Sequence, residues 1–426
     1  MFFALPRQRR RHAARWGSVS PAAERPRRAV VVAALGTTQT LAWASSYYLP
    51  AIIADPMAAD LRVSRSLVFG AFSAALLLSA FLGPAVGRAI DNRGGRGILV
   101  LSNVIFAVGL TLLALSHDAV VLGVAWAVLG VGMAFGLYDT AFATLAGLYG
   151  RTARGPMTGI TLLAGFASTV GWPLTSLFDD VLGWRGACLA WAAINILIAL
   201  PINRLLIPAA RPPERSGPPT EEGMTDAPRF AVAILAFVFA AVWFVTGAMA
   251  AHLPRLLETA GATPAEAIAA AALVGPAQVG ARLVEYSLMR RIHPVVSARI
   301  ATLLHPLGAA CLGLWGAPAG IAFAVLHGAG NGMLTIARGT LPLAIFGAAG
   351  YGLRTGIISA PARGTQALAP LLFGLLLDAE GSAALVVSAV LSLLALMALA
   401  ALPTIPRDRA AAQGCSDRIA SDAESS

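Results

Sequence analysis

Residues 67–96 read LVFGAFSAALLLSAFLGPAVGRAIDNRGGR. Up to Ile90 the only charge is Arg88, and then Asp91, Arg93 and Arg96 arrive together. A helix needs ~20 apolar residues to cross the hydrocarbon core of a bilayer. It also satisfies its own backbone groups there, which an open strand cannot. The stretch therefore reads as a membrane-spanning helix that ends in a charged, glycine-rich turn.

The composition agrees along the whole chain. Hydrophobic residues make up 57% and charged residues 12%, with a mean hydropathy of +0.73. A soluble chain carries roughly 25% charged residues, so the solvent of this one is largely lipid. Further runs of the same kind lie at 29–54, 67–89, 97–115, 119–147, 156–178, 185–207, 229–252, 266–288, 295–314, 318–338, 353–377 and 382–402. Their lengths predict an all-α membrane protein of twelve transmembrane helices. The first run is too long for a signal-peptide core and continues into Tyr47, Tyr48 and Pro50, so it is read as a retained span.

The formal charge of +10 raises the question of nucleic acid, but the arginines sit between apolar runs and not on one soluble face. No lysine occurs, which excludes a phosphate loop of the G-x-x-x-x-G-K type and Schiff-base chemistry. Cys188, Cys311 and Cys415 are far apart and show no metal-binding spacing. No cofactor, metal or nucleic-acid partner is expected.

Arginine placement sets an orientation. Arg7, Arg9, Arg10, Arg11, Arg15, Arg25, Arg27 and Arg28 precede the first run, and every second loop and the tail continue the bias. Positive loops face the cytoplasm, so both termini are expected there, in a bacterial-type inner membrane. The longest break, 208–228, is rich in proline, glycine and charge and reads as a linker. The expected organisation is a basic segment at 1–28, six-helix bundles at 29–207 and 229–402 on either side of that linker, and a tail at 403–426. Gly150 and Gly347, Gly159-Ile160 and Gly356-Ile357, and Pro173 and Pro370 all match at an offset of 197, as an internal duplication would produce.

The turn after the second run, from Gly83 to Arg96, resembles the G-x-x-x-D-[RK]-x-G-x-[RK]-[RK] signature of the major facilitator superfamily. Gly87, Asp91, Gly94 and Arg96 match, while Asn92 and Gly97 depart from its basic positions. The resemblance implies the major facilitator fold, alternating access, and a gate at Gly87, Asp91, Arg93, Gly94 and Arg96. Gly83 and Gly87 are expected to let the helix approach a neighbour closely. Two signatures of proton-driven drug exporters are missing: the fourth run lacks their arginine, and the fifth lacks G-P-x-x-G-G.

Ionisable groups inside spans mark pathways or gates. Arg363 lies mid-span in the eleventh run, near Gln366, and is read either as a substrate contact or as half of an internal ion pair. Arg282 in Gly280-Ala281-Arg282 is similar to the inward arginine of the oxalate/formate and monocarboxylate branch, with Glu285 as a local salt-bridge alternative. Both arginines are expected in a central cavity without nearby acidic partners. Gln39, Trp43, Ser46 and Tyr47 form a stripe on the first run, and His327, Asn331, Thr335 and Arg338 form one on the tenth. Either stripe suits a cavity wall or a helix–helix seam. Arg363, Arg282, Tyr47, Trp43, Asn331 and Gln366 are the candidate substrate residues. Asp139 is expected to pair with Arg88 or Arg96 at the gate, or to carry a coupled proton.

These features point to a monomeric secondary transporter of a small organic anion, with a proton as the candidate coupling ion. Efflux of drug-like or inorganic toxic compounds is the alternative within transporters. A non-transporting membrane sensor is the alternative outside them. An enzyme would want a cluster of titratable residues at one depth, and none is seen.

Overall fold

The computed structural model describes residues 28–149, 153–209, 229–287, 292–346 and 351–402. The basic N-terminal segment, the linker from 210, the tail, and the paired glycines Gly150 and Gly347 lie outside the described residues. Sixteen α-helices occur among those described. The first half contains α1 (Arg28–Ser45), α2 (Pro50–Leu61), α3 (Arg65–Arg93), α4 (Gly95–Ala114), α5 (Ala119–Gly136), α6 (Tyr138–Tyr149), α7 (Arg154–Ala164), α8 (Ala167–Ile194) and α9 (Leu200–Leu206). The second contains α10 (Arg229–Thr259), α11 (Pro264–Ala272), α12 (Val274–Ser287), α13 (Pro294–Trp315), α14 (Gly320–Phe346), α15 (Tyr351–Glu380) and α16 (Ala384–Ala400).

Local chemistry sets the helix ends. Ser64 accepts from Leu67 N at the start of α3, and Thr263 forms a reciprocal cap with Glu266 at the start of α11. Asp118 caps α5, and hydrogen bonds from Val121 and Val120 hold its carboxyl below the usual carboxylate range. Gly94 (φ +80°) separates α3 from α4, and Gly183 (φ +70°) reverses the chain within α8. A side chain at either position would meet left-handed strain.

Nine described stretches are long and apolar enough to cross a membrane. Two of them, Gly155–Leu206 and Ile358–Ala400, are 52 and 43 residues long and turn back at Gly183 and Gly381, so each crosses twice. With α1 and α2 as a further crossing, the described residues make twelve. Four crossings are interrupted. Ser46–Leu49 divides α1 from α2, Leu137 divides α5 from α6, Gly165–Phe166 divides α7 from α8, and Leu273 divides α11 from α12.

Packing follows one pattern in each half. Crossing 1 packs on 5 and 6, 2 on 4, and 3 on 4 and 6; crossing 7 packs on 11 and 12, 8 on 10, and 9 on 10 and 12. Between the halves, crossing 2 meets 11 and crossing 5 meets 8. Both sets are related by a shift of six crossings, which is what a pseudo-twofold axis along the membrane normal produces. Inside the first half a polar ladder joins crossings 1, 3 and 6. Thr38 donates to Asn203, Asn203 to Asn103 (2.8 Å), Asn103 to Asn195, and Asn195 to Ser45 (3.1 Å). Each such bond between membrane helices contributes about 0.6 kcal/mol, so the chain of them fixes helix register more than it adds stability.

Candidate substrate site and gates

The interrupted crossings meet at one place. Tyr47 and Tyr48 lie in the break at 46–49, and Tyr138 opens α6 just after the break at Leu137. Trp43 packs edge-on against Tyr47 and tilted against Tyr138, both at 5.0 Å between ring centres. Tyr48 meets Trp172 of α8 at 5.4 Å. The carbonyl of Gly136, left without its helical partner, accepts from Gln39 Nε2 at 2.6 Å. The first-run stripe thus makes helix–helix contacts at the broken region, with Gln39, Ser46 and Tyr47 buried.

The second half contributes α15. Gln366 Nε2 donates to the Tyr47 hydroxyl at 3.1 Å, which ties the halves together at the aromatic cluster. One turn earlier, Arg363 Nη2 stands 3.9 Å from Asp139 Oδ2 across the interface. Arg363 therefore has an acidic neighbour, contrary to expectation, and the partner of Asp139 is Arg363 instead of Arg88 or Arg96. The reason is the break at Leu137. It makes Asp139 a first-turn residue of α6, where the helix dipole favours a carboxylate, and aims it at α15. The pair is loose, with the two side chains 45% and 76% exposed. Exposed pairs contribute about 0.2–1 kcal/mol, so an incoming ion can part them.

Arg282 on α12 is the opposite case. It is 8% exposed, and its guanidinium donates to Thr161 O of α7 at 2.7 Å, with longer contacts to Gly332 O and Gln278 Oε1 at 3.4 Å. No described carboxylate forms an ion pair with it. Glu285 bonds Ser297 instead at 2.7 Å, so the local salt bridge does not form. Arg282, Arg363 and Asp139 sum to one net positive charge, and Glu285 stands one turn further along α12, turned to Ser297.

The two ends of the interface differ. On the face away from the described chain ends, Arg65 of α3 binds Asp55 of α2 at 2.8 Å and Asp378 of α15 at 3.7 Å, and Arg255 of α10 binds Asp378 at 2.7 Å. Below this network Leu371 N donates to Ser73 at 3.2 Å, and His252 meets the Pro370 carbonyl at 2.7 Å. Sequence reasoning passed over Arg65, Arg255, Asp55 and Asp378. They sit at run ends, where charges are ordinary, and only their pairing in the folded chain, Arg65 with Asp378 above all, distinguishes them. Toward the terminal face the same helix α3 diverges: a Cβ at Gly83 or Gly87 would meet nothing within 4 Å. The close approach expected at these glycines is therefore absent, because no neighbouring segment packs against this side of α3. The tight contacts lie at Gly130, whose Cβ would come within 2.6 Å of Ala75 O, and at Gly95, which abuts Thr144.

Of the remaining gate residues, Arg93, Gly94 and Arg96 line a cleft with Arg204 on the terminal face. Asp91 lies in the last turn of α3, and its side chain is outside the described residues. Asn331 is not brought to the arginines. Its Oδ1 accepts from Thr246 at 3.1 Å, and it lines a separate small pocket of about 20 Å³ with His305 and His327, whose Nδ1 atoms are 3.0 Å apart. Thr335 bonds Asn331 O, and Arg338 stacks on Trp243. The tenth-run stripe is thus a seam inside the second half, because its polar groups find partners on α10 and α13.

Comparison with known proteins places this geometry. Residues 35–320 match a family model described as Major Facilitator Superfamily. Among solved structures, the fold is similar to a bacterial homolog of the human lysosomal transporter Spinster, crystallised in an inward-facing and occupied conformation. The TM-score is 0.64 at 17% identity, covering 87% of this chain and 96% of that one. Among curated proteins, 183 residues are 31% identical to an uncharacterized 38 kDa protein in the 23S RNA operon of Thermoproteus tenax, covering 43% of this chain. The match spans about half the length of that relative, 47%.

Proposed function

The chain belongs to the Major Facilitator Superfamily and is a membrane transporter for small solutes, not an enzyme; from this premise we propose that it moves a small organic anion by alternating access. The carboxylate of that solute is received by Arg363 in the gap between the halves. This assignment stays with the oxalate/formate and monocarboxylate-like branch as the working subfamily, in an inner membrane with both termini cytoplasmic and with the monomer as the working unit.

One observation carries the reading: Arg282, Arg363 and Asp139 sum to a net positive charge, and the two arginines are either loosely paired or held by neutral dipoles. An uncompensated guanidinium near the bilayer centre costs at least ~2.5–3.5 kcal/mol on insertion scales. A transporter retains that cost where an anionic ligand offsets it. Positive potential in a cleft with low-dielectric walls also attracts anions before shape is read.

In this reading the structure is closed at the Arg65–Asp378–Arg255 face and open toward the terminal face. A carboxylate entering from the open end displaces Asp139 from Arg363. Proton coupling stays as the companion proposal, with no residue assigned to carry the proton. Efflux of drug-like compounds has less support, since both exporter signatures are missing from the sequence.

Binding of short carboxylates to the purified protein tests the assignment. Arg363→Gln is expected to abolish binding with the thermal unfolding temperature unchanged. Arg363→Lys is expected to keep the charge but bind at least tenfold more weakly, since the two-pronged geometry is lost. Carboxylate binding that survives Arg363→Gln would remove the organic-anion assignment and leave the transporter fold.

A further inference from the structure

The acidic neighbour of Arg363 has a consequence for what the solute carries besides its carboxylate. Arg363 and Asp139 come from opposite halves, α15 and α6, and approach to 3.9 Å while both side chains stay largely open to the gap. A plain carboxylate seated on Arg363 lies within a few ångströms of the Asp139 carboxylate, and the two repel. A solute that also bears a cationic group on a short spacer reverses the sign of that interaction. It parts the pair and gives each member a new partner.

The surroundings favour the cationic group a second time. Tyr138 precedes Asp139 in sequence and, with Trp43, Tyr47 and Tyr48, forms a cluster of rings whose centres are 5.0–6.5 Å apart. Of these, Trp43, Tyr48 and Tyr138 are only partly buried. Ring faces of this kind attract ammonium groups. Arg282 is held by Thr161 O and Gly332 O and offers no free fork. The contrast that remains is between Asp139 on α6, next in sequence to a ring of the cluster, and Arg363 on α15.

We propose that the central site recognises a small solute carrying a carboxylate and a cationic nitrogen on one short skeleton, its carboxylate on Arg363 and its nitrogen between Asp139 and the rings of Trp43 and Tyr138. This rests on the reading that Arg363 receives a carboxylate. Charge separation in the ligand matches charge separation across the interface, so binding also links the two halves through one molecule.

Isosteric pairs that differ only in the cationic atom provide the test. Glycine betaine is compared with 3,3-dimethylbutanoate, and phenylalanine with 2-methyl-3-phenylpropanoate, by calorimetry on the full-length protein in lipid nanodiscs. In at least one pair the zwitterion is expected to bind ten times more tightly than its carboxylate isostere, a difference of about 1.4 kcal/mol. Asp139→Asn is expected to bring that ratio close to one without weakening the plain carboxylate. Asp139 is exposed, so the substitution leaves the fold intact, and the wild-type ratios stand independently of it. Plain carboxylates that bind as tightly as the zwitterions, in the wild type and in Asp139→Asn alike, would overturn the inference and leave the anion site standing. A ratio above ten that persists in Asp139→Asn would overturn the assigned role of Asp139. Carboxylates that still bind to Arg363→Gln, or failure of all four compounds to bind, would count against both this inference and the proposed function.

Discussion

Arg282 shows how the centre of this protein trades stability for charge. A guanidinium at 8% exposure has lost most of its water, and three neutral acceptors replace it incompletely. Removing a buried charge relieves its desolvation cost, which offsets the hydrogen bonds lost with it. Arg282→Met is therefore expected to change unfolding stability by no more than about 1 kcal/mol, in either direction, while carboxylate affinity falls at least tenfold through loss of the positive field. Thermal unfolding and calorimetry on the same preparation separate the two effects. A large drop in stability, about 3 kcal/mol or more, would make Arg282 a structural strut between α7 and α12. Arg363 differs because its cost is met by water in the gap and by a loose acidic neighbour. These two arginines were legible in the sequence, since a charge inside an apolar run stands out. What each one touches was not, because that depends on backbone breaks that bring α6 and α7 toward α15 and α12.

Among the elements, α3 and α15 carry the asymmetry between the two faces. Their upper ends share the ion network centred on Asp378, and their lower ends separate. Asp378→Asn removes the carboxylate shared by Arg65 and Arg255. The partly exposed pair contributes on the order of 1 kcal/mol, so the population open at that face should rise about fivefold. A cysteine at Ser73, buried on the α3–α15 seam, reports this through its rate of modification by a membrane-impermeant thiol reagent. Unchanged labelling in Asp378→Asn would show that the network is not a gate. Long, apolar runs made the helices themselves plain to see, since lipid exposure sets both their length and their composition. The breaks at 46–49, Leu137, Gly165–Phe166 and Leu273 were not plain. The run 119–147 carries Asp139 as its one charge and contains no proline, so nothing in it marks Leu137 as the residue that leaves the helix. Gln39 is what makes that departure tolerable, by taking the Gly136 carbonyl.

At the scale of the whole molecule, the matched pairing of crossings 1–6 and 7–12 supports an origin by duplication. The halves touch along two symmetry-related seams, crossing 2 with 11 and crossing 5 with 8. Rocking about these seams opens one face as it closes the other. The glycine and proline matches that first hinted at duplication could not reveal these seams, because seams belong to the packing of distant segments. Distances between paired spin labels in lipid nanodiscs, measured by pulsed electron paramagnetic resonance, test this account most directly. One pair joins exposed positions on the sealed face, Ala59 of α2 and Glu380 of α15, and the other joins Arg88 of α3 and Ser287 of α12 on the terminal face. Alternating access requires a second population in which the Ala59–Glu380 distance lengthens and the Arg88–Ser287 distance shortens, with the balance moved by a bound carboxylate solute or by pH. Distances that stay fixed under every condition, or that lengthen together, would contradict it.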